Sequence, residues 1–195
     1  MDSLLKISQT LSRIVRFFGK LGAWSIIGLM LIIILDITMR RWFVIGSTKL
    51  QELEWHLHGT LFLLCLGWTY LKNGHVRIEL LSERMSIRSQ AWIELIGITL
   101  FLIPYIAAII IFGTDYVGFS YQFDEGSASP TGLPNRWIIK SIIVVGFIIL
   151  GFAAISRLIE TIIYIFGNDR QRQQTSLFIS KETEKSSSII DKGLT

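Results

Sequence analysis

Residues 20–41 read KLGAWSIIGLMLIIILDITMRR, a long apolar run that starts after one lysine and ends at two arginines. A bilayer core about 30 Å thick is crossed by roughly 20 mostly apolar helical residues, so this run has the length of a membrane span. Three further apolar runs lie between charged residues, at 55–71, 95–114 and about 137–158. Together with 21–39, they predict spans at about 21–40, 53–72, 92–114 and 136–160.

The composition agrees with a membrane protein. Of 195 residues, 51% are hydrophobic and only 17% are charged, which is too apolar for an ordinary soluble domain. Lipid cannot hydrogen-bond exposed backbone, and the runs show no two-residue alternation, so helices are favoured over a barrel. We therefore predict an all-α integral membrane protein with four transmembrane helices and an N-terminal amphipathic interfacial helix.

The ends of the chain differ from this membrane domain, which is predicted over 20–166. In segment 1–19, an apolar face lies opposite a basic face; the apolar residues are Leu4, Ile7, Leu11, Ile14, Val15 and Phe18, and the basic ones are Lys6, Arg13, Arg16 and, just beyond, Lys20. This pattern predicts a helix on the cytoplasmic leaflet, and the alternative is an extension of the first span. The net charge of +4 favours anionic lipids over nucleic acid as the electrostatic partner. Segment 167–195 is polar and predicted to be a disordered cytoplasmic tail.

The distribution of positive charge predicts the orientation. With both termini cytoplasmic, 14 of the 19 Lys and Arg residues lie on the cytoplasmic side. Lys140 and Arg157, near the two ends of the last run, are expected to extend toward the headgroups. Pro104 is expected to kink the third span.

The sequence offers little material for chemistry. The span centres are apolar, and the deepest ionisable residue, Asp36, is spaced to pair with Arg40 one turn later. A haem held between two histidines is not favoured by the sequence. His56 and His58 point to different helix faces, and His75 is too distant to share a haem with either. No metal, phosphate-loop or nucleophile motif is present, so we expect neither an enzyme nor a bound cofactor.

Polar residues instead gather at the ends of the helices. The short connection after the first span brings Arg40 and Arg41 near Glu52, Glu54 and His56, as a packing cluster, a partner contact or a solvated surface. At the other end of the second span, Gly74 is a plausible helix stop. His75, Arg77 and Glu79 follow it, as an anchor to a partner or as a solvated loop.

Three separated motifs carry a family resemblance: QELEWHLHGTLFLLCLGWTYLKNGHVRIELLSERMSIRSQAWIELIG at 51–97, FLIP at 101–104 and GLPNRWIIKSIIVVGF at 132–147. In this order they resemble the small, Q-type membrane subunit of tripartite ATP-independent periplasmic (TRAP) transporters. The resemblance is closest to the branch of 2-oxoacid, mannitol and chloroaromatic systems. Glu79 departs from the family pattern, which commonly has aspartate there.

The resemblance implies a non-catalytic scaffold in a sodium-coupled importer of a carboxylate-type solute in a bacterial inner membrane. Its partners would be a large elevator subunit, which carries the substrate and sodium sites, and a periplasmic solute-binding protein. The alternatives are the membrane anchor of a redox complex and a stand-alone small transporter. The residues expected at a partner interface or structural cluster are Arg40, Arg41, Glu52, Glu54, Trp55, His56, Gly74, His75, Arg77, Glu79, Pro134, Arg136 and Trp137.

Overall fold

The computed structural model describes residues 2–72, 85–173 and 175, and their regular structure is entirely helical. The elements are α1 (Asp2–Trp42), α2 (Thr48–Leu71), α3 (Ile87–Gly97), a π-helical turn (Ile98–Leu102), α4 (Ile103–Gln122), α5 (Trp137–Phe166) and the short α6 (Asp169–Arg172). Side chains of Ser47 and Ser86 cap the N-termini of α2 and α3. The four predicted spans fall on α1, α2, α3–α4 and α5.

Helix α1 is continuous over 41 residues, about 60 Å at 1.5 Å per residue, or twice the thickness of a bilayer core. Its N-terminal part is thus an extension of the first span, which was the alternative interpretation, and a separate interfacial helix is not confirmed. This extension packs through Leu5, Ser8, Val15 and Gly19. Leu4, predicted on the apolar face with Val15, stays exposed.

Three helices are long and apolar enough to cross a membrane, judged by length and composition: α1, the continuous stretch Ile87–Gln122, and α5. Helix α2 has 24 residues but is not among them. Its first half carries Glu52, Glu54, His56 and His58, which lower its mean hydropathy. The fourth span therefore stays a prediction.

Helix α5 is the centre of the bundle and contacts α1, α2, α3 and α4. Helices α1 and α2 are antiparallel and approach closely at glycines: a Cβ on Gly19 would lie 2.5 Å from the Cβ of Trp68. Helices α2 and α5 run in the same direction and meet at Gly67 and Gly146. Small residues allow such contacts in membrane bundles, where packing replaces the hydrophobic effect.

The third span contains a local irregularity where the sequence predicts a kink. The N–H of Ile103 bonds to the carbonyl of Ile98, five residues earlier, which closes the π-helical turn. Pro104 follows in the first turn of α4, where its missing N–H matters least. The irregularity at this position is therefore a π-helical turn next to the proline.

Part of the predicted organisation lies outside the described residues. Gly74, His75, Arg77 and Glu79 belong to the segment 73–84, and most of the predicted tail lies beyond residue 175. The start of that tail forms the short helix α6, whose Gln171 donates a hydrogen bond to Asp2 at 2.9 Å.

Candidate functional site

The connection between α4 and α5 folds onto the start of α2. The carboxylate of Glu52 accepts hydrogen bonds from the backbone N–H of Leu133, at 2.7 Å, and from the hydroxyl of Ser127. Gly132 permits this contact, because a Cβ there would lie 2.7 Å from Glu52 Oε1. One acidic side chain thus organises a loop that is about 80 residues away in the sequence.

These contacts change the acidity of Glu52, which precedes the apolar run of α2. Its pKa is lowered, first by the Leu133 N–H, then by the Ser127 hydroxyl, and further by the charges of Arg136 and His56. Glu52 is therefore a carboxylate at neutral pH, and its charge strengthens the hydrogen bonds that hold the loop.

An ion pair lies in the same region. Lys140 pairs with Glu125 and lies over the ring of Tyr116, 3.8 Å from its centroid. The Lys140 hydrogen bond is the first cause of the lowered pKa of Glu125. Lys140 is only 7% exposed, so the expectation that it extends toward headgroups is wrong. A buried ammonium is stabilised by a carboxylate and an aromatic face near it; the loop supplies Glu125 and α4 supplies Tyr116. We call Glu52, Glu125, Ser127, Leu133 and Lys140 the loop cluster.

The other predicted residues at this end of the bundle divide into two groups. Arg40 donates to Asp36 at 2.9 Å, which confirms the predicted pair. When the Gln51 side-chain amide is oriented with its oxygen toward Arg40, that oxygen accepts a second hydrogen bond from the guanidinium. Within the described residues Arg40 therefore pairs with Asp36 and not with Glu52. Trp137 packs edge-on against Tyr121 at 5.5 Å. In contrast, Arg41, Trp55 and Pro134 are exposed, with Trp55 at 72%.

The opposite end holds the most deeply buried charge of the described chain. Arg157 is 1% exposed and donates to Glu94 of α3 at 2.8 Å, with Glu160 3.9 Å away on its own helix. The hydroxyl of Ser156 lies 2.9 Å from that of Ser8 and 2.8 Å from that of Ser12, both on α1. These six residues, the Arg157 cluster, join α1, α3 and α5.

Sequence reasoning missed the Arg157 cluster. The expectation that Arg157 reaches the headgroups is wrong, and the sequence does not distinguish Glu94 from other charges at the edges of the apolar runs. The local signal was weak: two serines four residues apart on α1, and Ser156-Arg157 with Glu160 one turn later. The interactions of Ser8 with Ser156 and of Arg157 with Glu94 join residues 148 and 63 positions apart, and periodicity carries no information on such pairings.

Both clusters are built to hold helices together. The described residues contain no group of three or more His, Cys, Asp or Glu side chains placed to hold a metal ion. Between the clusters, the centres of the helices carry no acidic or basic side chain over 59–71, 95–114 and 141–156. The arrangement fits helix packing, and Trp55 stays exposed at the end of the bundle that holds the loop cluster, which we call the loop end.

We expect Glu52→Gln to weaken the loop cluster in a pH-dependent way. The folded-state pKa of Glu52 lies below its usual value near 4.5, so its charge stabilises the fold above that pH. This contribution is lost as the pH falls through the lower, folded-state pKa. The thermal midpoint of the variant in detergent should be lower at pH 7, and the difference from wild type should shrink below about pH 4.5.

Glu54→Gln is the matched control, since within the described chain Glu54 takes part in neither cluster. Its midpoint should follow that of the wild type at every pH. An unchanged midpoint of Glu52→Gln at pH 7 would contradict the role of the Glu52 charge.

Comparison with known proteins gives one result. The family model described as "Tripartite ATP-independent periplasmic transporters, DctQ component" matches residues 29–163, about two-thirds of the chain. No curated protein and no solved structure matches significantly. The matched range contains the loop cluster, Arg157, Glu94 and Glu160, and it begins after the N-terminal part of α1. The chain belongs to the DctQ family, the small subunit of the tripartite ATP-independent periplasmic transporters, and is a multi-pass membrane component of a transporter.

Proposed function

We propose that this chain is a non-catalytic scaffold subunit that stabilises and positions the large membrane subunit of a TRAP transporter. The complete system imports a carboxylate-type organic solute, uses the sodium gradient through the large subunit, and receives the solute from a periplasmic binding protein. The chain lies in a bacterial inner membrane with both termini in the cytoplasm.

The distribution of ionisable side chains is the observation that carries this proposal. Moving a solute or ion across a bilayer requires charges or carbonyls along its path. Here, stretches 59–71, 95–114 and 141–156 carry no acidic or basic side chain, and the ion pairs Asp36–Arg40, Glu125–Lys140 and Glu94–Arg157 lie toward the ends of the predicted spans. A chain whose span centres are apolar in this way is suited to packing beside a transport subunit.

The packing also supports four crossings. Helix α2 is about 36 Å long at 1.5 Å per residue and lies antiparallel to α1 along its glycine contacts. A helix so closely packed on one that spans the membrane shares its depth. The acidic residues at the start of α2 are then part of the loop end, where Glu52 bonds to the loop.

The large subunit is expected to contact the loop end through the side chains that the loop cluster leaves exposed. Trp55 and Arg41 are the strongest candidates among the predicted residues, because aromatic and arginine side chains dominate the energetics of interfaces. Glu52, Arg136 and Trp137 support this surface by stabilising the loop.

Co-purification and transport assays test this function. Proteoliposomes with the large subunit, the binding protein and this chain should take up solute, and those with this chain as the sole membrane subunit should not. Trp55→Ala should weaken binding of the large subunit to an affinity-tagged chain by about 30-fold, since truncating a hot-spot residue costs about 2 kcal/mol or more.

Trp24→Ala is the control, because Trp24 is exposed to a similar degree, 69% against 72%, but lies about 27 Å along α1 from Trp42, at 1.5 Å per residue. Uptake by this chain without the large subunit would overturn the scaffold role. An equal loss of co-purified large subunit in the two tryptophan variants would show that the loop end is not the contact surface.

A further inference from the structure

The N-terminal part of α1 has three sides, and only one of them is covered by the bundle. The covered side consists of Leu5, Ser8, Ser12, Val15 and Gly19. Next to it runs a line of apolar side chains, of which Leu4 and Ile7 are 39% and 49% exposed. On the other flank lies a basic strip whose members are all exposed: Lys6, Arg13, Arg16 and Lys20.

Contacts with α5 fix the depth of this basic strip. Val15 packs in one cluster with Ile149 and Ala153, and Ser8 and Ser12 reach Ser156. Arg13 and Arg16 therefore lie at about the same depth as residues 149–156 of α5. That stretch lies just before Arg157 in the apolar run 137–158, which is the part of α5 predicted to cross the membrane.

The apolar runs of the two packed helices consequently imply different positions for the membrane surface. The apolar run of α1 starts only at residue 21, whereas residues 149–155 of α5 are apolar at about the level of residues 13–16 of α1. Cationic side chains at this depth need an anion, or they must extend along the helix to water. Among the described residues, no carboxylate forms an ion pair with Lys6, Arg13, Arg16 or Lys20.

We propose that the basic strip binds the phosphate headgroups of acidic phospholipids in the inner leaflet. A headgroup drawn toward the strip neutralises the cations, while its acyl chains cover the neighbouring apolar line. One molecule thus satisfies both uncovered sides of the helix and removes the mismatch with α5. This surface precedes residue 29, where the family match begins, and the proposal does not depend on the scaffold function.

The test uses the full chain purified in detergent, with lipid binding followed by native mass spectrometry. Wild type should bind its first phosphatidylglycerol several-fold more tightly than its first phosphatidylcholine. Each cation near a membrane surface changes binding by roughly fivefold, so Arg13→Gln/Arg16→Gln should weaken phosphatidylglycerol binding by about 25-fold and leave phosphatidylcholine binding unchanged.

Two controls separate this site from general electrostatics. Lys49→Gln/Arg88→Gln removes the same charge from exposed positions elsewhere and should retain the preference, as should the charge-conserving Arg13→Lys/Arg16→Lys. Helical circular dichroism and a single elution peak establish that each variant is folded.

Three results would overturn the proposal. The first is a wild-type chain with no preference for the acidic lipid, which requires no variant at all. The second is an equal loss in both glutamine double variants, which would assign the effect to net charge. The third is an Arg13→Gln/Arg16→Gln variant that keeps its lipid preference but no longer retains the large subunit, which would assign the strip to a protein partner.

Discussion

Replacing Arg157 with methionine is expected to lower the free energy of unfolding by about 3–5 kcal/mol, the usual cost of removing one partner from a buried ion pair. Arg157 is 1% exposed, and its guanidinium lies 2.8 Å from Glu94. Without it, Glu94 and Glu160 stay in a half-buried site with less compensation for their charge. The thermal midpoint in detergent should fall by roughly 6–20 °C, at a few degrees for each kcal/mol.

A second substitution distinguishes lost attraction from an unpaired charge. Arg157→Met/Glu94→Leu removes both members of the pair and replaces them with apolar side chains of similar reach. Apolar replacement of a buried pair is often neutral, so most of the lost stability should return. If the double variant is as unstable as Arg157→Met, the geometry of the pair is itself essential.

The serines of the same cluster provide a milder comparison. Ser156→Ala removes hydrogen bonds to Ser8 and Ser12 but leaves no buried charge. Its effect should be near the 1 kcal/mol typical of neutral hydrogen bonds. A larger loss for Arg157→Met than for Ser156→Ala would show that the cluster is held mainly by charge. Arg157 joins α5 to α3 through Glu94, while Ser156 and Glu160 join α5 to Ser8 of α1.

The helices could be predicted from the sequence because a membrane span is a local property. The length of an apolar run between charges can be compared directly with the thickness of the bilayer core. Residues 95–114 and 137–158, predicted in this way, lie in long helices. The same reasoning reached the Asp36–Arg40 pair, whose partners are one turn apart. The family could be predicted as well, from three motifs in a fixed order.

The packing surfaces could not be predicted, because they depend on contacts between distant segments. A charge at the end of an apolar run, such as Lys140 or Arg157, can reach water or a buried partner, and the sequence does not contain the partner's position. The hydrophobic face of residues 1–19 does not identify the side of this segment that packs on the bundle. Small residues make the contact with α5 and α2, so Ser8 and Gly19 are buried while Ile7 is exposed.

Gly146→Ala should show how closely α2 and α5 approach. A Cβ on Gly146 would lie 2.9 Å from both the Cβ and the backbone oxygen of Leu63, so the helices must separate to admit a single methyl group. Overpacking of this kind costs about 1–3 kcal/mol, even though alanine favours a helix by up to about 1 kcal/mol over glycine. A lower thermal midpoint is expected.

Gly59→Ala is the matched control on α2, since no atom lies within 4 Å of the position that its Cβ would occupy. This variant should be as stable as wild type or slightly more stable, because only the helix propensity changes. Leu63→Ala should not rescue Gly146→Ala, since the opposing atoms are the backbone oxygen and a Cβ that alanine retains. Rescue by Leu63→Ala would mean that the rest of the leucine side chain forms the obstacle. A Gly146→Ala chain as stable as Gly59→Ala would show that α2 and α5 can separate at no cost. The second close contact, between Gly67 and the backbone of Ile149, makes that outcome unexpected.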